Sequence, residues 1–127
     1  MTDDPLGSER GESLAVMVSR PRPTVTLLRL SGALDLTSAP ALDQHLVEQA
    51  ATGPAHLVLD LTAVRFLAAA GIGSIMAARL ALGRRGRVHL TGVSGNRLVE
   101  RVLALTGVRS VLDVHDDLDA LLAVLDA

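Results

Sequence analysis

Residues 57–72 read Leu57-Val58-Leu59-Asp60-Leu61-Thr62-Ala63-Val64-Arg65-Phe66-Leu67-Ala68-Ala69-Ala70-Gly71-Ile72. With His56 ahead of it, the run to Leu61 is dense in Leu and Val without polar alternation, the pattern of a central strand covered on both faces. From about Ala70 to Gly83 the apolar residues recur at helical spacing, with Ile72, Ile75, Met76 and Leu80 predicted on one side. A buried strand that hands over to a helix is the repeating unit of a parallel α/β sheet.

The same alternation extends in both directions. Leu14 to Val18 is a short β-leaning run, ended in this reading by Ser19-Arg20-Pro21-Arg22-Pro23. Thr24 to Leu30 is the next strand, with Val25 and Leu27 facing away from Thr26 and Leu28, and these two strands suit an antiparallel hairpin. The loop Ser31 to Leu36 leads to Thr37 or Ser38 as a helix cap, with Pro40 in the first turn. Leu42, Leu46, Val47 and Ala50 form that helix's apolar stripe, and Thr52-Gly53-Pro54 stops it. Arg87 to Thr91 is a strand. Ser94 to Leu105 is a helix with Ser94 or Asn96 as cap, Leu98, Val99, Val102 and Leu103 inward, and Gly107 as a left-handed C-terminal cap. Val108 to Val114 reads as the last strand, and Asp116 to Leu125 as a last helix carrying Leu118, Leu121, Leu122 and Leu125. The order β-β-α-β-α-β-α-β-α specifies an α/β fold with a mixed, mostly parallel sheet of four to five strands, four helices, and the first strand antiparallel at one edge.

Composition narrows the function classes. The 127 residues suffice for one domain, and 49% apolar content sustains a core, built almost without aromatics because Phe66 stands alone. The acidic, polar residues 1–13 read as a disordered tail rather than a signal peptide, leaving residues 14–126 as a single domain. A net charge of −2 argues against nucleic acid or an anionic membrane as partner. The longest uncharged apolar run, Phe66 to Ala78, is too short to cross a bilayer, so the expected compartment is the cytoplasm. There is no cysteine, and His45, His56, His89 and His115 stand far apart with no H-x-x-x-H pair, so no metal site and no cofactor are expected.

Three stretches together resemble the STAS domain family of bacterial anti-sigma factor antagonists. Leu30-Ser31-Gly32-Ala33-Leu34-Asp35 is similar to the family's G-x-L-D loop. Residues 57–72 resemble its central signature, hhhDLs-x-V-x-F-h-D-S-[ST]-G-h, where h is apolar. Leu103-Ala104-Leu105-Thr106-Gly107-Val108 is like its h-x-h-[ST]-G-h ending of the third helix. The resemblance spans residues 14–126 and implies a non-enzymatic protein that binds an anti-sigma factor with an ATP-binding, kinase-like fold and so frees a sigma factor for transcription.

One departure bears on regulation. Where the family's D-S-[ST] triplet supplies a phosphorylatable serine, this chain has Ala68, Ala69 and Ala70. Alanine has no hydroxyl, so phosphotransfer at position 69 is chemically excluded; Thr62 and Ser74 are the nearest hydroxyls, each read as structural. The expected partner surface is Asp35 and Leu36 with Phe66, Leu67, Ala68, Ala69, Ala70, Gly71, Ile72, Gly73 and Ser74, a permanent mimic of the unphosphorylated state. The competing reading makes Phe66, Leu67 and Ile72 core residues and the alanines a tight strand–helix junction.

Other readings are weaker. Gly71-Ile72-Gly73-Ser74 fails the dinucleotide pattern because position 76 is Met, and fails the P-loop pattern for want of a following Lys-Ser or Lys-Thr. Gly71 is expected to permit a sharp turn and Gly73 close helix packing. Asp35 and Asp60 lack a nucleophile or base around them, so catalysis is not expected. Arg79, Arg84, Arg85 and Arg87 form a basic cluster, three of them at or just past a helix C-terminus where cations offset the dipole; a solvated face is the default reading and an acidic partner surface the minority one. A scaffold or homodimer built on the same apolar edge, and a sensor of a nucleotide or lipid, are the alternative functions.

Overall fold

In the computed structural model, which describes residues 14–126, the elements follow the expected order. Strands β1 (Ala15–Arg22), β2 (Val25–Leu34), β3 (His56–Leu67), β4 (Arg87–Thr91) and β5 (Asp113–Val114) form one sheet in sequence order. Only β1 is antiparallel to its neighbour. Helices α1 (Ala39–Ala51), α2 (Ala69–Leu82), α3 (Arg97–Thr106) and α4 (Leu118–Leu125) connect or follow the strands. The tail reading of residues 1–13 lies outside the described residues.

The two faces of the sheet are covered unequally. Leu28, Leu30, Leu57, Leu59, Leu61 and Leu90 point to one face and share a single buried cluster with residues of α1, α2 and α3. On the other face Val25, Leu27 and Val58 meet Leu121 and Leu122 of α4, with Leu118 and Leu125 packed around them. The expected opposition of Val25 and Leu27 to Leu28 therefore holds, because successive strand residues alternate sides.

Several boundaries differ from the sequence reading for identifiable reasons. β1 does not end at Val18 but runs through Pro21 to Arg22. As an edge strand it tolerates a missing N–H, and the pairing register shifts between Ser19 and Arg22 to accommodate the turn. β2 continues past Leu30 through the expected loop, because Gly32 at φ 99° lets the chain bulge there and resume pairing at Ala33. β3 extends to Leu67, although β4 accompanies it only to Asp60. Asn96 takes over beyond that point: its side-chain amide donates to Leu61 O (2.9 Å) and Val64 O (2.8 Å), satisfying carbonyls that β4 no longer reaches.

Among the helices, Val47 and Leu80 are solvent-exposed rather than inward, and Leu98 is partly so. The inward face of α2 is instead Gly71, Ile72, Ser74, Ile75, Ala78 and Leu82. Helix α3 begins at Arg97, not Ser94: Asn96 Oδ1 accepts from Val99 N (3.2 Å), while the Ser94 hydroxyl donates to Asp116 (2.9 Å). Gly107 is the left-handed cap, at φ 74°. After it, Val108–Ser110 is a 3-10 turn rather than strand, closed by Ser110 N to Gly107 O and Val111 N to Val108 O. The last strand is thereby reduced to Asp113–Val114, and Asp117, accepting from Ala120 N (2.8 Å), starts α4 at Leu118. Among the described residues no helix is long and apolar enough to cross a membrane.

Candidate partner-binding site

The site lies where the parallel strands β2 and β3 end side by side. Ala33 pairs with Phe66 and Leu34 with Leu67, and Ala68 N donates to Leu34 O at 2.9 Å. Register alone thus brings the Asp35 turn against the Ala68–Ala70 run, two segments separated by more than thirty residues of sequence.

The Asp35 turn is a closed polar unit. Ser38 N donates to Asp35 Oδ1 (2.9 Å), Asp35 N donates to Ser38 Oγ (3.0 Å), and the Ser38 hydroxyl donates to Ala33 O (2.7 Å). Ala39 N then donates to Asp35 O (2.8 Å) and opens α1. Asp35 therefore shapes the turn, as short polar side chains do by bonding to nearby backbone. The next residue, Leu36, is 80% exposed.

On the other side, Ala68 is the N-terminal cap residue of α2, with the extended backbone such a residue adopts (φ −103°, ψ 171°), but it supplies no side-chain acceptor. The first turn of α2 contains no acidic residue either. The positive end of this helix faces outward without the cap that Ser or Asp would supply. Gly71 lies within α2 and makes no sharp turn, contrary to the expectation; its role is close packing, since a Cβ there would lie 2.5 Å from Leu34 Cγ and 2.9 Å from Leu67 Cδ1. Only glycine fits between the ends of the two strands.

The eleven expected contact residues divide by burial. Leu36, Phe66, Ala69 and Gly73 are exposed, and Asp35, Ala68 and Ala70 are half-buried. Leu67, Gly71, Ile72 and Ser74 are buried, so they hold the surface in place from beneath and offer a partner nothing directly. The competing core reading is thus right for Leu67 and Ile72 and not for Phe66. The Ser74 hydroxyl donates back to Ala70 O (3.3 Å) inside the helix, and the exposed Thr62 hydroxyl donates to Asp60 (2.9 Å). Asp60 also accepts from Thr91 (2.9 Å), which makes it a cross-strand tie between β3 and β4.

A groove of about 400 Å³ continues from this surface between α1 and α2, its walls formed by Leu36, Pro40 and Val47 on one side and Ala70, Gly73 and Ala77 on the other. Asp43 is the charged residue of its lining. Gly73 does not serve helix packing, as the sequence reading expected: a Cβ there would meet nothing within 4 Å. Apolar spacing does not mark this groove, because the exposure of Val47 depends on how α1 rolls on the sheet.

Histidines far apart in sequence do converge. His56 Nδ1 lies 3.0 Å from His89 Nε2, and His89 Nδ1 lies 3.2 Å from His115 Nε2. Their only sequence signal is the placing of His89 between Val88 and Leu90, which turns it to the α4 face. Among the described residues no group of three or more His, Cys, Asp or Glu is arranged to hold a metal ion.

The architecture, the Gly32 bulge, the Asp35 turn and the glycine-seated strand–helix junction define a STAS domain. The chain belongs to this family, which matches residues 17–121. It is 33% identical over 100 residues to the anti-sigma-F factor antagonist RsfB of Mycobacterium tuberculosis, an alignment covering 67% of this chain and 82% of the relative. Its fold matches the crystal structure of an anti-sigma factor antagonist from Mycobacterium paratuberculosis with a TM-score of 0.82, at 28% identity over 91% of this chain and 96% of that one. The unphosphorylated form of the anti-sigma factor antagonist SpoIIAA superposes with a TM-score of 0.74, at 16% identity over 89% and 98% of the two chains.

Proposed function

We propose that this chain is an anti-sigma factor antagonist that binds its partner through the α2 N-terminal surface and is not switched by phosphorylation there. The partner is an anti-sigma factor with an ATP-binding, kinase-like fold, and its capture releases a sigma factor for transcription. The observation that carries the proposal is Ala69, exposed in the first turn of α2 with no hydroxyl beside it and no cap on the helix.

A phosphate at this position would add about −2 charge, and the positive helix end would tolerate it without unfolding. The consequence of such a modification is a changed surface for the partner, not a melted helix. Without the hydroxyl, the surface of Leu36, Phe66 and Ala68 to Ala70 stays small and apolar. It continues into the α1–α2 groove, where apolar side chains of a partner helix would be shielded from water. The proposed role is binding and not catalysis: the Asp35 carboxylate accepts from Ser38 N in its own turn, and the Asp60 carboxylate accepts from the Thr62 and Thr91 hydroxyls and ties β3 to β4.

Incubation of the chain with its anti-sigma factor and ATP, followed by intact-mass measurement, tests the regulatory half of the proposal. The wild-type mass is expected to stay unchanged while the Ala69→Ser variant gains one phosphate. Phosphate on the wild-type chain would show that the switch lies elsewhere.

A further inference from the structure

The face of the sheet beneath α4 carries a polar feature that partner binding does not use. His56 at the start of β3, His89 in the middle of β4 and His115 just after β5 form a continuous line of imidazoles. Ring centroids are 5.1 and 5.3 Å apart, and the facing nitrogens are at hydrogen-bond distance. The central ring is buried, at 4% exposure, and the outer two are half-buried. The outer nitrogens, His56 Nε2 and His115 Nδ1, have no hydrogen-bond partner among the described residues.

We propose that this histidine chain is an acid-sensitive latch that holds β5 and α4 on the sheet and opens when it takes up a second proton.

Proton counting gives the latch its threshold. Each of the two ring–ring contacts holds one proton between two nitrogens, and each outer nitrogen can hold one, so the intact chain accommodates four. Three neutral imidazoles already carry three. One further proton fills the chain with both hydrogen bonds intact, wherever the cation sits. A fifth proton must enter a contact already occupied, setting N–H against N–H, and that contact breaks; the latch opens where it is the His89–His115 contact, the one that reaches the β5–α4 segment.

What the latch holds is weakly held otherwise. β5 pairs with β4 through only Asp113 and Val114. The segment into α4 adds His115 N to Leu90 O (2.9 Å), Gly92 N to Asp116 O (3.1 Å) and the Ser94 hydroxyl to Asp116 (2.9 Å), and past the helix Asp126 makes an exposed ion pair with Arg22 (3.1 Å). Helix α4 is eight residues long and rests on Val25, Leu27 and Val58. Opening the chain at His115 would uncover that apolar face of the sheet.

The surrounding charges set the direction of the pH response. Burial, aided by His56, His115 and Arg87 and opposed by Asp113, pushes the His89 imidazole down to about 4. Burial, and after it Arg87, also lowers His56. Arg87 pairs with Asp113 (3.4 Å), which moderates both charges. Helix α4 turns leucines to the sheet and leaves Asp119 and Asp126 exposed; on β2, Arg29 is exposed. Above pH 6.5 His89 is neutral whether the chain is folded or not, and the latch contributes fully. Below 6.5 the unfolded chain takes up a proton that folded His89 refuses, so stability is lost as pH falls from 6.5 toward 4.

The experiment is urea unfolding of the full chain at pH 7.5 and 5.0, with hydrogen exchange read segment by segment. For His89 alone, the folding constant is expected to fall about 30-fold between these pH values. Amides of β5 and α4 should lose protection before those of α1 and α2. His89→Gln should flatten the pH dependence. A wild-type folding constant unchanged within twofold, or acid loss of protection spread evenly over all helices, would overturn the proposal. If His89→Gln does not fold, imidazole titration of the wild-type protein by NMR decides: His89 must stay neutral at pH 5.0, and its titration near 6.5 contradicts the latch.

Discussion

The two faces of the sheet solve the same burial problem with different means. On one, α1, α2 and α3 enclose twenty buried residues around Leu57, Leu59 and Leu61. On the other, a single eight-residue helix sets Leu121 and Leu122 against Val25, Leu27 and Val58, and three histidines finish the contact between strands. The thick face supports the rigid junction that presents Ala68 to Ala70. The thin face can part from the sheet at little cost to the rest of the core, because local openings follow regions with few buried apolar contacts. The lesson is that one fold can keep a fixed surface at the end of its strands while leaving the opposite layer responsive to solution conditions.

The same substitution on each face makes the sharpest contrast. Leu59→Ala removes a fully buried side chain from the thick face and is expected to cost about 4 kcal/mol, with protection lost throughout the chain. Leu121→Ala, equally buried, is expected to cost about 2–3 kcal/mol and to show first as lost protection in α4. Denaturant unfolding combined with hydrogen exchange distinguishes the two. Equal, global loss in both variants would remove the distinction between the faces.

A smaller effect is expected at the junction itself. Gly71→Ala forces a methyl against Leu34 and Leu67 and should destabilise by about 1–3 kcal/mol through overpacking. Gly73→Ala, two residues along the same helix, meets open space and should stabilise by about 0.5–1 kcal/mol. Thermal unfolding of the pair checks this; a shift of the same sign in both would mean that the strand ends are not packed as described.

Much of the thick face was legible in the chain. Unbroken Leu and Val from His56 to Leu61 and helix-spaced apolar residues after Ala70 mark a covered strand and its crossover, and Gly107 marks a helix end by chemistry that few other residues share. Boundaries were less legible where tertiary bonds decide them. β3 runs on to Leu67 because Asn96 supplies donors from another helix, and β2 runs on to Leu34 because Gly32 bulges. Val47 and Leu80 fit an apolar stripe by spacing yet face water, since an alanine-rich helix can roll without losing its seat. The site showed the same division. Ala69 could be placed from the motif, whereas the burial of Ser74 and the open groove beside Gly73 depend on how α1 and α2 pack. The histidine line depends on register between parallel strands, which spacing in sequence does not encode.

The central claim is that the exposed, uncapped start of α2 is the partner surface. Calorimetric titration of the anti-sigma factor with wild-type chain and with Ala69→Glu, whose added carboxylate sits at the same helix turn, tests it most directly. The account predicts tight binding by the wild type with or without ATP, and at least tenfold weaker binding by Ala69→Glu at unchanged thermal stability. Equal affinity of the two proteins for the anti-sigma factor would contradict it.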